Sequence, residues 1–334
     1  MLELSIKELV KKYPFVIEFF EQNRLDIKGF EEKSFEEFLS CLDEDELEDK
    51  AIDIRGLKNE LLSYIEQMKE FLGISDGQVN SLTILSGKYK DGKAEPFEKL
   101  EIRKSEIISI VGPTGSGKSR LLADIEWAAQ GDTPTGRTIL INNKPADPKW
   151  RYSPNNKLVA QLSQNMNFVM DVSAGEFIKL HAQSRMISDP EKISQEILQA
   201  ANKLAGESFS SDTPITGLSG GQSRALMIAD TAILSASPIV LIDEIENAGI
   251  DRKKALKLLV SKDKIVLMAT HDPLLALMAD KRIVIKNGGI HKIITTTKEE
   301  KELCIKLEKV DSVMQRARQS LRMGNALNDE VFFE

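Results

Sequence analysis

At 334 residues, with 41% hydrophobic and 29% charged side chains, the chain is long enough for two domains and ordinary in composition for a globular protein. Its net charge of −7 sits at the front, where residues 1–73 hold 19 acidic and 10 basic side chains, leaving the remainder near neutral. No apolar run approaches the roughly 18–20 residues of a membrane-spanning helix, the N-terminus lacks signal-peptide features, and Cys41 and Cys304 have no metal-ligand spacing, so a cytoplasmic location is expected.

Residues 1–73 read as an acidic, helical N-terminal domain. Ser5-Ile-Lys-Glu8 and Ser34-Phe-Glu-Glu37 fit capping boxes, in which a hydroxyl and a carboxylate satisfy free N–H groups at a helix start. Pro14 separates a first short helix from a second carrying Phe15, Val16, Phe19 and Phe20; Asn23 and Gly29 interrupt the pattern again. A longer helix with Leu57, Leu61, Leu62, Ile65, Met68 and Leu72 ends at Gly73, and Gly73–Gly77 reads as a linker. The acidity repels nucleic-acid backbones, and a solvated surface accounts for it better than a dedicated docking face.

From Leu82 short β-branched runs alternate with helical segments: Leu82–Leu85, Ile107–Val111, Thr138–Ile141, Ile239–Ile242, Ile265–Met268 and Ile283–Ile285. That alternation predicts an α/β domain over 80–295 with a mostly parallel sheet. Phe168–Ser208 lacks such runs and reads as a helical subdomain, bounded at 165–212. Residues 296–334 form a charged C-terminal helix and tail. Leu303, Leu307, Val310, Met314, Ala317 and Leu321 make a heptad stripe along it. Packing of that stripe onto the same subunit is the favoured expectation, with a coiled coil to a second copy or a partner as the alternative.

The chemistry begins at Gly112, Pro113, Thr114, Gly115, Ser116, Gly117, Lys118 and Ser119, followed by Arg120. The run follows an apolar strand and opens a helix, the context a phosphate-binding loop requires. Glycines let backbone N–H groups turn onto phosphates, Lys118 is placed to reach the β- and γ-phosphates, and Ser119 to ligate Mg²⁺. Ile239–Ile242 then delivers Asp243 and Glu244 at the end of a buried strand. Asp243 suits a Mg²⁺ ion, reached through water, and Glu244 suits a general base on the attacking water.

With these motifs in place, residues 80–295 resemble the ABC ATPase family. Leu218-Ser219-Gly220-Gly221-Gln222 looks like its signature, which the resemblance implies contacts ATP held by the opposite subunit, ahead of a helix expected over Ala225–Leu234. Gln164 matches the Q-loop glutamine that senses Mg²⁺ and water, with Gln161 as the competing choice. His271, after the strand Ile265–Met268, matches the switch histidine, and Tyr89 sits where the family places an adenine-stacking aromatic. His181 and His291 have no such context. The loop Ile245–Asp251 lacks the usual proline and carries one extra residue, so Asp251 matches the family aspartate only loosely; Asp230 and Arg120 also depart from transporter-type members. Residues 6–39 more faintly resemble the small helical domain of iron–sulfur repair proteins, without the cysteines those relatives carry near Ile27–Gly29.

The resemblance implies ATP hydrolysis in a head-to-tail homodimer, with ATP and Mg²⁺ as cofactors. A cytoplasmic ATPase remodelling or activating a protein client, such as a metalloenzyme, is the leading expectation. The client would engage the N-terminal domain or the helical subdomain, in loose likeness to the activation component of methyl-coenzyme M reductase. The alternative is the energising subunit of a transporter, docked on a separate membrane protein. A DNA-maintenance role stands third, because no basic stripe marks a nucleic-acid face.

Overall fold

The computed structural model describes residues 4–42, 54–72, 79–152, 157–163, 168–243 and 249–327. Gln164, Glu244, most of the Ile245–Asp251 loop and the expected linker Gly73–Gly77 lie outside the described residues.

The N-terminal domain contains α1 (Ile6–Lys12), α2 (Val16–Gln22), α3 (Phe35–Leu39) and α4 (Ile54–Leu72). Both expected capping boxes form, at Ser5/Glu8 and Ser34/Glu37. Phe20, Phe35, Phe38, Leu61 and Ile65 are sealed in its core, each worth about 1.5–3 kcal/mol relative to exposure. The domain leans on the body: Met186 packs against this core, and Arg185 Nη1 donates to the Leu72 carbonyl at 3.2 Å.

The body carries two sheets. One is antiparallel, in the order β2 (Lys99–Arg103), β1 (Ser81–Leu85), β4 (Thr138–Ile141) and β5 (Lys144–Pro145). The other runs β10 (Gly289–Thr295), β9 (Lys281–Lys286), β3 (Ile107–Val111), β8 (Ile265–Ala269), β7 (Ile239–Asp243) and β6 (Val159–Leu162); all its pairings are parallel except β10 with β9. The central strands are almost wholly apolar because both faces are covered, and the buried Ser109 of β3 donates to the Ala276 carbonyl. On β7, Ile239 and Leu241 join the core shared with the antiparallel sheet, while Val240 and Ile242 join the core under the helical subdomain. β8 alternates the same way, as the two-residue period of a strand requires.

Helices α5 (Lys118–Glu126), α6 (Pro148–Tyr152), α7 (Ala174–Ser184), α8 (Pro190–Leu204), α9 (Gly220–Ile233), α10 (Arg252–Ser261) and α11 (Pro273–Met278) complete the body. The helical subdomain is α7 and α8, packed against α9. α9 begins at Gly220, five residues before the expected start, because Ser219 and Gln222 form a capping box that extends the helix backwards.

The C-terminal helix α12 (Lys298–Arg322) corrects a sequence expectation. It docks through Glu300, Cys304, Leu307, Glu308 and Asp311, bonded or packed against β9, α10 and α11. Its apolar stripe meets the body only in part: Leu307 is half-buried against the cavity that Pro273 and Leu274 line, while Leu303, Val310, Met314 and Leu321 remain 49–60% exposed. Ion pairs on the adjoining face fix the helix rotation, and they turn the stripe outwards.

Candidate nucleotide site

The phosphate loop forms where buried β3 meets α5. Gly117 caps α5 with φ +110°, a left-handed conformation that L side chains rarely adopt. A Cβ on Gly117 would lie 2.8 Å from the Cα of Gly288, and one on Gly112 would lie 2.5 Å from the Ile285 carbonyl oxygen. The loop is therefore moulded against the β9–β10 turn, and Gly288 N donates to Ser116 O at 2.7 Å.

Lys118 Nζ donates to the Gly112 carbonyl at 2.7 Å and lies 3.2 Å from His271 Nε2. Two nitrogens from distant segments thus meet at the mouth of the loop. Ser116 Oγ is buried with no hydrogen-bond partner, and a buried hydroxyl left this way calls for a ligand. With N–H groups at the start of α5 and a lysine at its mouth, the loop fits a polyphosphate chain. Ser119 and Arg120 are exposed on the first turn of α5, and Asp243 ends β7, half-buried, as expected.

Beneath the loop lies a cluster that sequence reading missed. Arg137 is fully buried and bridges two carboxylates: it pairs with Glu95 and with Asp124 of α5, the latter at 2.7 Å. Glu95 also accepts from Gly87 N at 2.7 Å and Ile290 N at 2.5 Å, and Thr135 Oγ1 donates to Asp124 at 2.8 Å. Arg137 reaches the Gly288 carbonyl at 3.4 Å. One network therefore fastens the phosphate-loop helix, the turn behind the loop and the segment carrying Tyr89. The Tyr89 ring edge lies against Gly289, and its hydroxyl donates to Ile290 O at 3.3 Å. Burial, with Glu95 and Asp91 nearby, pushes its phenol above the ordinary range.

The signature Ser219, Gly220, Gly221 and Gln222 stands at the start of α9, Ser219 and Gly220 exposed. Gln222 Oε1 accepts from Ser219 N at 2.9 Å, so part of this anion-suited turn is internally satisfied. A Cβ on Gly249 would lie 3.7 Å from Gly221 Cα, which puts the end of the 245–251 loop against the signature. Asp251 caps α10 by accepting from Lys254 N at 3.0 Å. Burial works to raise its pKa, but the hydrogen bonds and charge of Lys254 outweigh it and hold the carboxyl below its ordinary range.

Behind His271, Asp272 caps α11, and Arg252 of α10 bridges Asp272 and Asp311 of α12. His181, which the sequence left without context, places Nδ1 2.9 and 3.0 Å from the two oxygens of Asp230 and joins α7 to α9. His291 Nδ1 is 3.5 Å from the Tyr89 hydroxyl, on the first residues of β10.

A family model described as "ABC transporter" matches residues 98–247. An uncharacterized ABC transporter ATP-binding protein of Methanocaldococcus jannaschii is 51% identical over 253 residues, 76% of this chain and 97% of that one. The chain belongs to the ABC transporter ATP-binding family. It is an ABC ATPase, with the ATP-hydrolysing domain of that family. The macrolide export ATP-binding/permease protein of Campylobacter jejuni is 31% identical over 216 residues, 60% of this chain and 31% of that protein. An energy-coupling factor transporter ATP-binding protein of M. jannaschii is 27% identical over 220 residues, 61% of this chain and 75% of that one. Among solved structures, a dimeric ABC transporter cassette aligns with TM-score 0.49 and 25% identity, covering 65% of this chain and 99% of that one.

Proposed function

We propose that two copies of this ABC ATPase pair head to tail, hydrolyse ATP between them, and drive a transporter through a separate membrane protein. The meeting of Lys118 Nζ and His271 Nε2 at 3.2 Å above a loop with a buried, unpartnered hydroxyl carries the proposal. Both nitrogens can donate to a γ-phosphate there, and the loop N–H groups and the α5 N-terminus hold the other phosphates. Ser219 and the N–H groups of Gly220 and Gly221 from the second copy complete the shell. Ser119, Asp243 and Gln164 would hold Mg²⁺, which when bound neutralises charge on the β- and γ-oxygens. Glu244 takes a proton from the attacking water as the base, and Tyr89 offers a ring to the adenine.

The transporter reading draws on relatives named as transporter ATP-binding proteins and on a macrolide exporter. Among the described residues no helix is long and apolar enough to cross a membrane, so a spanning part would come from elsewhere. A second reading, remodelling of a protein client, is favoured by one observation: the N-terminal domain rests on Arg185 and Met186, at the end of α7 in the helical subdomain.

Affinity capture with Glu244→Gln in the presence of ATP and Mg²⁺ tests both. The variant is expected to lose hydrolysis, trap the ATP-bound pair and recover a multi-spanning membrane protein. Recovery of a non-membrane enzyme instead would replace the transporter reading with remodelling. Wild-type turnover by the variant would remove Glu244 as the base.

A further inference from the structure

The C-terminal helix presents an apolar face that the body leaves uncovered. Leu303 is 50% exposed, Val310 60%, Met314 49% and Leu321 57%. On a helix of 3.6 residues per turn these four share one stripe, since Leu303 and Leu321 are five turns apart. Ile305 lies off it. The helix cannot rotate to bury the stripe, because Arg252–Asp311 at 2.7 Å, Lys253–Glu308 at 2.8 Å and Arg282–Glu300 at 2.5 Å pin the neighbouring face.

We propose that this stripe is the docking surface for α12 of a second copy, paired antiparallel about a two-fold axis at Ser312. The stripe is its own mirror in sequence. An axis at Ser312 sets Leu303 opposite Leu321, Val310 opposite Met314 and Leu307 opposite Ala317, so every apolar position meets an apolar one. Such self-complementarity is what an isologous two-fold contact demands and what an unrelated partner does not. Charge agrees with the direction at one end. The start of the helix is mixed, with Lys298 and Lys301 among Glu299, Glu300 and Glu302 and with Glu300 held by Arg282, whereas Arg316 and Arg318 lie towards the other end of the helix with no acid beyond Asp311. Antiparallel pairing keeps the basic ends of the two copies apart and opposes the helix dipoles.

Resting on the head-to-tail pairing proposed above, the surface is continuous with the nucleotide face. Leu307, Val310, Asp311 and Met314 form one wall of a cavity of about 420 Å³, and His271, Asp272, Pro273 and Leu274 form the other. Side chains of the second α12 would fill this cavity immediately behind the switch histidine. Both contacts are two-fold, so one axis can serve both. The helix pair would then hold two copies together without nucleotide and raise the local concentration at which ATP closes the site.

The full chain without nucleotide is expected to sediment as a dimer at micromolar concentration. Val310→Glu with Met314→Glu should raise its dissociation constant about 100-fold or more, since charge replaces apolar contact in a buried face. Both positions are exposed in one copy, and an unchanged circular dichroism melt would confirm folding. In a Cys41→Ser, Cys304→Ala background, mixing Val310→Cys chains with Met314→Cys chains should give chiefly the mixed disulfide. Chiefly like-with-like disulfides would overturn the antiparallel pairing. A wild-type monomer without nucleotide, or a dimer indifferent to the two glutamates, would overturn the proposal altogether. Adding Glu244→Gln to the double glutamate variant separates the two contacts. A monomer that becomes a dimer with ATP upholds the head-to-tail pairing by itself; one that stays monomeric while the wild type is dimeric sinks that pairing and leaves the helix contact standing.

Discussion

Among the described residues two arginines each bridge a pair of carboxylates, one beneath the phosphate loop and one behind His271. Arg137 is wholly buried with Glu95 and Asp124, whose side chains are 0% and 1% exposed. The side chain of Arg252 is 14% exposed, with Asp272 at 19% and Asp311 at 27%. The chemistry is the same, but the surroundings change what it does. In the first, water cannot replace a lost partner, so the phosphate-loop helix and the turn behind it are welded in one geometry. In the second, solvent reaches the ions, so the joint between α10, α11 and α12 can loosen at modest cost. The loop that would grip phosphate is backed by the rigid cluster, and the histidine that would sense the γ-phosphate is backed by the adjustable one.

Removing the buried cation should have the largest effect. Arg137→Met leaves two carboxylates without their counter-ion and should destabilise the chain by about 3–5 kcal/mol, read as a lower melting temperature with weakened ATP binding. Neutralising the whole cluster, with Glu95→Gln and Asp124→Asn added, should recover most of that loss, because the cost lies in unpaired charge. A triple variant no better than the single one would mean that geometry and not charge holds the cluster. Arg252→Ala should cost less, about 1–2 kcal/mol, yet slow ATP turnover about ten-fold, the equivalent of some 1.4 kcal/mol on the barrier. Its effect belongs in kcat, with KM for ATP nearly unchanged; a rise in KM alone would place the node outside the γ-phosphate end.

A third arginine extends the comparison to the surface. Arg151 pairs with Asp132, which is 48% exposed, and Asp132→Asn should barely move the melting temperature. Its carboxyl is held down to about 2, first by the hydrogen bond from Arg151 and then by Gln130 N. A carboxyl lowered in the folded chain contributes fully above its ordinary value of 3.8 and loses that contribution as pH falls through about 2. The wild-type and variant melting curves should therefore keep a constant offset from pH 7 to about 4. An offset that closes between pH 7 and 5 would assign the effect to another group.

These clusters also mark where sequence reading stopped. The phosphate loop, the signature turn, Asp243 and His271 were legible because each stands at a strand end or helix start, where local pattern and chemistry coincide. Arg137, Glu95 and Asp124 were not, because charged residues read as surface and their partners lie 42 and 13 residues apart along the chain. β2, with its exposed and buried residues alternating, β6, only four residues long, and β10, with a bulge between Ile290 and Lys292, lack the continuous apolar runs that betray the central strands. The stripe of α12 was visible as a heptad pattern, yet its outward aim depends on Arg252, Lys253 and Arg282, which belong to other elements. Gln164 and Glu244 keep their roles as proposals.

Gly117 and Gly288 stand back to back, 171 positions apart: a Cβ on Gly117 would run into the Gly288 backbone, whereas one on Gly288 would meet the Lys90 side chain. Gly288 has no side chain to give up, so no change there makes room for a side chain at Gly117, and both glycines hold a positive φ besides. The β9–β10 hairpin would have to travel with the phosphate loop in any transplant or shuffled chain, although nothing in the hairpin's own sequence mentions phosphate.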